Sequence, residues 1–298
     1  MDKKAYAAAL FCAFAIGSLF YCRTIFTPDV ISMNMFITPA GSPAVVVHIE
    51  DDPYLLKVDL GSKFALSLSE AVLETLTNKK ADSIATWRDA KGNFYEAPSY
   101  CLPAVKMGSL ALRNILARQE SKEYVINTTL WNDKDPSQIY ENEPVGVLGR
   151  PILEKTNLLF DFQNSKLTAC KNLKHIKDLR IDKMIGIPFE VDAKGIFIMA
   201  QTDVGELRLF FDTGATISII NSSRVQDQEC GIDCRGFKVY TTQRFQLGDQ
   251  NLGTKNLYLY DLSPELENID GALGMDVLSN RVVYVDYPSR MIYLSEKK

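Results

Sequence analysis

The chain has 298 residues, of which 46% are hydrophobic and 23% charged, and its 33 basic against 37 acidic side chains give a formal net charge of −4. This is the composition of a globular protein with one large or two ordinary domains, and it excludes a disordered tail or a collagen-like chain. The mildly acidic balance gives no electrostatic reason to expect a nucleic-acid partner, and six cysteines are too few for a small disulfide-held fold.

The N-terminal segment differs from the rest of the chain. Two lysines precede an apolar run at 5–22, and a helix of that length spans ~27 Å, close to the ~30 Å of a bilayer core. We therefore expect an uncleaved signal anchor over residues 1–26, a transmembrane helix that leaves the rest of the chain on the periplasmic side, followed by a spacer at 27–39. A buried core helix, an exported form and a form lipid-anchored at Cys22 are the alternatives.

Short β-branched and apolar segments dominate the remaining sequence, so we expect an all-β protein with few helices. In the first half, an apolar strand ends at Asp59, and the Leu60, Gly61 and Ser62 that follow predict a tight turn.

An aromatic hairpin is predicted shortly after this turn. Trp87 and Tyr95 flank a stretch that contains Gly92, a residue suited to a hairpin turn. The two aromatic side chains either line a substrate groove or only pack within the hairpin.

The second half of the chain repeats the first. Residues 145–169 align without gaps with residues 270–294, which matches Gly149 with Gly274. Upstream of each segment lies a loop in which an aspartate follows an apolar strand. The loop of the second half has the sequence Asp212, Thr213, Gly214, Ala215.

The duplication predicts the domain organisation. We expect two homologous β-rich lobes at 40–170 and 186–298, joined by a polar linker at 171–185.

Pseudo-symmetry between the lobes would bring Asp59 and Asp212 together. Two carboxylates at close range cannot both ionise, so such a pair shares one proton. The ionised member can take a proton from water while the protonated member polarises a peptide carbonyl. This chemistry requires neither metal nor cofactor, and none is expected here.

These motifs resemble those of the aspartic proteases of retropepsin-like and pepsin-like type. The resemblance rests on residues 211–216 and on the paired apolar-apolar-glycine segments at 147–150 and 272–275, which occur in the family's order, twice. It covers about residues 40–298 and implies two β-barrel lobes with a cleft between them. It also implies that Gly149 and Gly274 are the psi-loop glycines, and that the hairpin at Trp87, Gly92 and Tyr95 is the flap over the cleft.

Carried over by position, the resemblance makes Asp59 and Asp212 the catalytic residues. It implies that the Thr213 hydroxyl bonds across to the backbone of the opposite loop. It also implies that the Ser62 hydroxyl donates to the outer carboxylate oxygen, a contact that Ala215 cannot make.

The chain departs from the family pattern at Leu60, where threonine is expected. We expect the loop of the first half to lack its brace, and a misplacement of ~1 Å can lower a catalytic rate ~100-fold.

Three functions follow as hypotheses. The first is a membrane-anchored aspartic endopeptidase acting on polypeptides, monomeric or homodimeric. The second is an impaired pseudoprotease that binds peptides, and the third is a structural envelope protein.

The cysteines and histidines carry lesser expectations. Cys230 and Cys234 are the pair most readily bridged, because they are closest in sequence. The chain has only two histidines and no Cys-x-x-Cys pair, so we expect no metal site.

Overall fold

The structure is a computed structural model that describes residues 23–26, 29–120, 143–172, 174, 176 and 179–296. The predicted anchor over 1–26 lies outside these residues except for Arg23–Phe26, which form a β-strand and not the end of a helix. Within the described ranges, no helix is long and apolar enough to cross a membrane.

The chain is built mostly from β-strands, as its composition of short apolar segments predicts. The strands of the first half are β1 (Arg23–Phe26), β2 (Val30–Ile37), β3 (Pro43–Ile49), β4 (Asp52–Asp59), β5 (Leu66–Leu68), β6 (Lys80–Arg88), β7 (Phe94–Met107), β8 (Leu110–Gln119), β9 (Gly146–Gly149), β10 (Asn157–Asp161) and β11 (Lys166–Cys170). Those of the second half are β12 (Ile185–Val191), β13 (Ile196–Thr202), β14 (Gly205–Phe211), β15 (Ile219–Asn221), β16 (Gly231–Ile232), β17 (Lys238–Thr242), β18 (Phe245–Leu247), β19 (Gln250–Asn251), β20 (Lys255–Tyr260), β21 (Gly271–Leu273), β22 (Val282–Asp286) and β23 (Met291–Leu294).

The helices among the described residues are short. They are α1 (Glu70–Thr75), α2 (Arg150–Leu153) and α3 (Met275–Leu278), with 3₁₀ turns at Ile181–Lys183, Ser222–Val225 and Pro264–Leu266. Helix α1 begins where the Ser69 hydroxyl accepts a hydrogen bond from the Val72 amide, and Glu70 in its first turn suits the positive end of the helix dipole.

Both halves use the same pairing scheme around their aspartates. In the first half, β4 runs parallel to β9, while β5 pairs antiparallel with β9 and parallel with β8. In the second half, β14 runs parallel to β21, while β15 pairs antiparallel with β21 and parallel with β20. The repeat seen in the sequence is therefore a repeat of topology.

One antiparallel sheet takes strands from both halves. Its order is β2-β11-β10-β22-β23-β12, and the two halves meet where β10 pairs with β22. Strand β2 lies within residues 27–39, which the sequence predicted as a spacer, so this segment is part of the sheet. The β2 strand continues into pairing with β3, and β12 continues into pairing with β13, so each strand links the shared sheet to its own half.

The core is continuous from one half to the other. Its fully buried members beside the aspartate loops include Val58 and Leu60 in the first half and Phe211 and Leu273 in the second. The two cysteines expected to form a disulfide do not: Cys230 and Cys234 are both free and exposed.

Candidate active site

The two aspartate loops face each other across the junction of the halves. Asp59 ends β4, and Asp212 directly follows β14. A Cβ atom added to Gly61 would lie 2.5 Å from the Asp212 carboxyl carbon, and one added to Gly214 would overlap the Asp59 carboxyl group. Each glycine therefore makes room for the aspartate of the other loop, and the Asp59 and Asp212 carboxyl groups lie within hydrogen-bonding reach of each other.

Backbone amides orient both carboxyl groups. The Gly214 amide donates to Asp212 Oδ1 at 2.7 Å, and the Ser62 amide donates to Asp59 Oδ1 at 2.9 Å. The expected donation from the Ser62 hydroxyl is replaced by this amide contact, because the hydroxyl lies 3.4 Å from both the amide nitrogen and the carbonyl oxygen of Phe64. Ala215 occupies the matching region of the second loop and lines the cavity beside Asp212.

The environment of Asp212 favours its protonated form. Burial, followed by the adjacent charge of Asp59, raises the pKa of Asp212 to about 8, while Lys57 and the Gly214 amide act in the opposite direction. The pair as a whole therefore retains a proton at neutral pH.

Thr213 ties the two loops together. Its hydroxyl accepts from the Leu60 amide at 3.0 Å and donates to the Val58 carbonyl at 2.9 Å, and the residue is almost completely buried. Leu60, at the equivalent position of the first loop, is fully buried in the hydrophobic core. The side-chain hydrogen bonds from Thr213 to the opposite loop therefore come from the second half.

Gly149 and Gly274 lie where β9 and β21 end against the aspartate loops. A Cβ atom at Gly149 would overlap the Phe64 carbonyl oxygen, and one at Gly274 would overlap that of Ile217. The amide that follows each glycine donates back to the aspartate loop of its own half, to the Ser62 carbonyl at 3.1 Å in the first and to the Ala215 carbonyl at 2.9 Å in the second. Because a side chain at either glycine would overlap the backbone, these glycines let each strand end pack directly against the aspartate loop of its own half.

The predicted hairpin is present as β6 and β7. Gly92 adopts a left-handed conformation with φ of +87° in the turn between them, a region that favours glycine. Trp87 is buried and stacks on Tyr95, with ring centroids 5.6 Å apart, and its edge contacts Phe64 at the same distance. The hairpin therefore lies over the first aspartate loop.

The tip of the hairpin contacts the second half of the chain. The Ala90 carbonyl accepts from the Ser263 amide at 2.8 Å, and Arg88 Nε lies 3.4 Å from Glu265 Oε2. The Lys91 ammonium lies 5.3 Å from the centre of the Tyr260 ring. With the tip held in this way, the hairpin roofs a cavity of about 630 Å³ that contains both aspartates.

The two walls of this cavity differ in chemistry. The wall from the first half carries the charged side chains of Lys57, Arg118 and Glu120 in addition to Asp59. The wall from the second half is largely apolar and includes Phe210, Ile219, Leu262, Ile269 and Ala272.

The charged wall was not identified from the sequence. Lys57 Nζ lies 3.3 Å from Asp59 Oδ2, and the alternation of β4 would have indicated that both side chains share one face. The Arg118 guanidinium lies between the rings of Phe64 and Trp87, 4.4 and 4.1 Å from their centroids. No local pattern indicates this position for Arg118, because it depends on the parallel pairing of β8 with β5.

In the described part of the chain, no group of three or more His, Cys, Asp or Glu residues is placed to hold a metal ion.

Comparisons with known proteins bear on the fold. No protein-family model and no curated protein sequence matches the chain. Among solved structures, it is similar to the aspartic proteinase from Irpex lacteus, with a TM-score of 0.58 and 13% sequence identity over 90% of this chain and 98% of that one. The predicted all-β fold of pepsin-like type is thereby confirmed: the chain has the fold of an aspartic proteinase.

Proposed function

We propose that the protein is an aspartic endopeptidase that hydrolyses peptide bonds with a water molecule activated between Asp59 and Asp212. The observation that carries the proposal is the approach of the two carboxyl groups through Gly61 and Gly214, inside a roofed cavity.

The geometry supports a hydrolysis without a covalent intermediate. The ionised carboxylate of the pair removes a proton from water, the water oxygen bonds to the peptide carbonyl carbon, and the protonated carboxyl group donates its proton to the carbonyl oxygen. When the tetrahedral intermediate collapses, the carbon–nitrogen bond breaks and the leaving nitrogen takes the proton that the first carboxylate had removed from water. As the new carboxylic acid forms, one hydroxyl of the intermediate returns its proton to the second carboxylate. The pair then returns to its singly protonated state.

A polypeptide is the substrate class that fits the cavity. The cavity of about 630 Å³ lies between the hairpin and the aspartates, and its apolar wall suits side chains rather than a small polar metabolite. Because the Ser263 amide donates a hydrogen bond to the Ala90 carbonyl, we expect the hairpin to lift from the second half when a chain enters.

The membrane anchor and the cellular location of the protein are proposed from its sequence. We expect the apolar run at 5–22 to hold the enzyme at a membrane with the catalytic part on the periplasmic side, acting as a monomer.

The test is proteolysis by the purified full chain in detergent. An unfolded protein such as casein is incubated between about pH 3 and pH 9, the range over which carboxyl pairs of this kind change protonation. We expect cleavage by the wild type and a loss of about 100- to 10,000-fold in Asp59→Asn and in Asp212→Asn, because each removes an acid–base group.

The matched control is Asp227→Asn, an exposed aspartate away from the cavity, which should leave the rate unchanged. If the folded wild type cleaves nothing under any condition, the enzyme proposal fails and the fold serves peptide binding or structure alone. If Asp59→Asn keeps full activity, the shared-proton pair is not the catalytic unit.

A further inference from the structure

Lys57 is a cation in direct contact with the aspartate pair. It lies two residues before Asp59 on β4, so both side chains point to the cleft while Leu56 and Val58 point into the core. Its Nζ atom is 3.3 Å from Asp59 Oδ2, and the side chains of Lys57 and Asp59 are only 19% and 14% exposed. An ion pair so poorly solvated is screened much less than one at the surface.

The charges around Lys57 keep it protonated. Burial lowers the pKa of Lys57, but the negative charges of Asp59, Asp212 and Glu120 outweigh burial and hold the pKa above its usual value. Glu120 comes from the end of β8, and burial raises its pKa against the opposing charges of Lys57 and Arg118.

The strands paired with β4 place uncharged residues directly beside Lys57. Its register partners are Ala44 on β3 and Val147 on β9. Of the basic groups nearby, Arg118 lies against the rings of Phe64 and Trp87. Lys63 Nζ lies 5.3 Å from the centre of the Phe64 ring.

The second half carries an aromatic residue at the position that matches Lys57. The residue two positions before Asp212 is Phe210, which packs against Phe197 with ring centroids 5.3 Å apart. The aspartate pair is therefore electrostatically unequal: a cation touches one member, and an aromatic ring stands at the same position beside the other. A positive charge on one side stabilises the carboxylate that it contacts more than the distant one.

We propose that Lys57 is a positioning residue that selects Asp59 as the ionised member of the pair and moves the pH range in which the pair holds one proton to lower values. The inference deepens the proposed peptidase function and rests on it. Lys57 acts on the reaction through Asp59, because its ammonium group bonds the carboxylate that takes the proton from water.

The sign of the effect follows from charge. A nearby cation makes both proton losses of the pair easier, from two protons to one and from one to none. Removing Lys57 should therefore shift both limbs of the bell-shaped pH–rate profile upwards. For the acidic limb we expect a shift of about 1–3 pH units, the size found for a carboxyl group beside a cation.

The experiment compares kcat/KM from acidic to alkaline pH for wild type, Lys57→Met and Lys57→Arg in the full chain. Lys57→Met should shift both limbs upwards, whereas Lys57→Arg, which keeps the positive charge, should stay close to wild type. Lys166→Met, an exposed lysine on β11, controls for loss of any lysine and should leave the profile unchanged. If thermal melting shows Lys57→Met to be unfolded, Lys57→Gln, which keeps a polar head on the strand, provides the comparison.

A second measurement separates this inference from the proposed function. The carboxyl carbons of aspartate are followed by NMR as the pH is changed, in wild type and in the Lys57 variants, with Asp59→Asn and Asp212→Asn used to assign the signals. An upward shift of the pair's titration on loss of Lys57 supports the inference even if no substrate is ever cleaved. A titration and a pH–rate profile that do not move, or that move downwards, overturn it while leaving the peptidase proposal intact.

Discussion

The two halves of the molecule share a backbone plan but divide the chemistry between them. Strands β4 and β14 each end at an aspartate, and each runs parallel to a strand that ends at a glycine-bounded turn. At matching positions the side chains differ: Lys57 against Phe210, and Leu60 against Thr213. The first half supplies the charge and the covering hairpin, while the second supplies the hydroxyl brace and the apolar wall.

This difference shows how a duplicated fold builds one asymmetric site. Duplication keeps the topology that brings the two aspartates together, because topology depends on strand pairing and on glycines where backbones approach closely. The residues that face the cleft or the junction are free to differ without disturbing that pairing. The comparison can be tested at each pair of matching positions.

The largest effect is expected at the glycines that face the opposite aspartates. Gly61→Ala and Gly214→Ala each place a methyl group where the other carboxyl group lies, so each should lower activity by ~100-fold or more. Gly231→Ala is the control, because its added Cβ would lie at an ordinary 3.8 Å from Val239. Equal losses at Gly61 and Gly214 would show that the halves contribute equally to the geometry, and normal activity in either variant would contradict the facing of the loops.

The next effect concerns pH. The pKa of Asp212 is raised to about 8 in the folded protein, whereas an aspartate in an unfolded chain has a pKa of about 4. Protonation of Asp212 therefore stabilises the fold fully below about pH 4, and this stabilisation is lost as the pH rises through 8. Activity should fall over the same alkaline range, since the pair loses its shared proton. In thermal melts, Asp212→Asn should raise Tm relative to wild type at pH values above 8 and change it little near pH 4. A wild-type Tm that rises steadily up to pH 9 would count against this assignment.

Thr213 should matter to stability as well as to rate. Thr213→Val removes the hydroxyl that serves the Leu60 amide and the Val58 carbonyl, which leaves two buried backbone groups without this partner. We expect a loss of about 1–3 kcal/mol in the free energy of unfolding, measured by denaturant titration. Thr213→Ser keeps the hydroxyl and should recover most of the loss. If Thr213→Val is as stable as wild type while Thr213→Ser is destabilised, methyl packing and not the hydroxyl holds the loops.

The smallest effect is expected where the hairpin meets the second half. Arg88 and Glu265 form an ion pair whose side chains are 50% and 62% exposed. Such a pair contributes at most ~1 kcal/mol, so Arg88→Ala should change KM by about fivefold or less and leave kcat nearly unchanged. Steady-state kinetics on one peptide substrate measures both. A large fall in kcat would mean that this contact also shapes the aspartate pair.

The elements that local sequence determines were predictable. An apolar strand, an aspartate and a small-residue turn identify Asp59 and Asp212, and the gapless repeat identifies Gly149 and Gly274. These features depend on residues adjacent in the chain or on comparison of the chain with itself.

Features that depend on distant pairing were not predictable. Arg118 and Glu120 reach the site because β8 pairs with β5, and residues 30–37 become a strand because β11 lies beside them. We expected the Ser62 hydroxyl to donate a hydrogen bond to Asp59, but the Ser62 amide donates to it instead. The position of Lys57 beside Asp59 could have been predicted from the sequence, because residues two apart on a strand lie on the same face.

The shared sheet also constrains the order of folding. Strand β2, near the start of the described chain, pairs with β11 more than a hundred residues later, and β12 pairs with β23 at the far end. Contacts between such distant residues are slow to form, because a long loop must close before they can stabilise anything. During synthesis, β10 must keep an open edge until β22 and β23 have emerged from the ribosome. The junction between the halves, where the aspartates meet, is therefore among the last parts of the molecule to be completed.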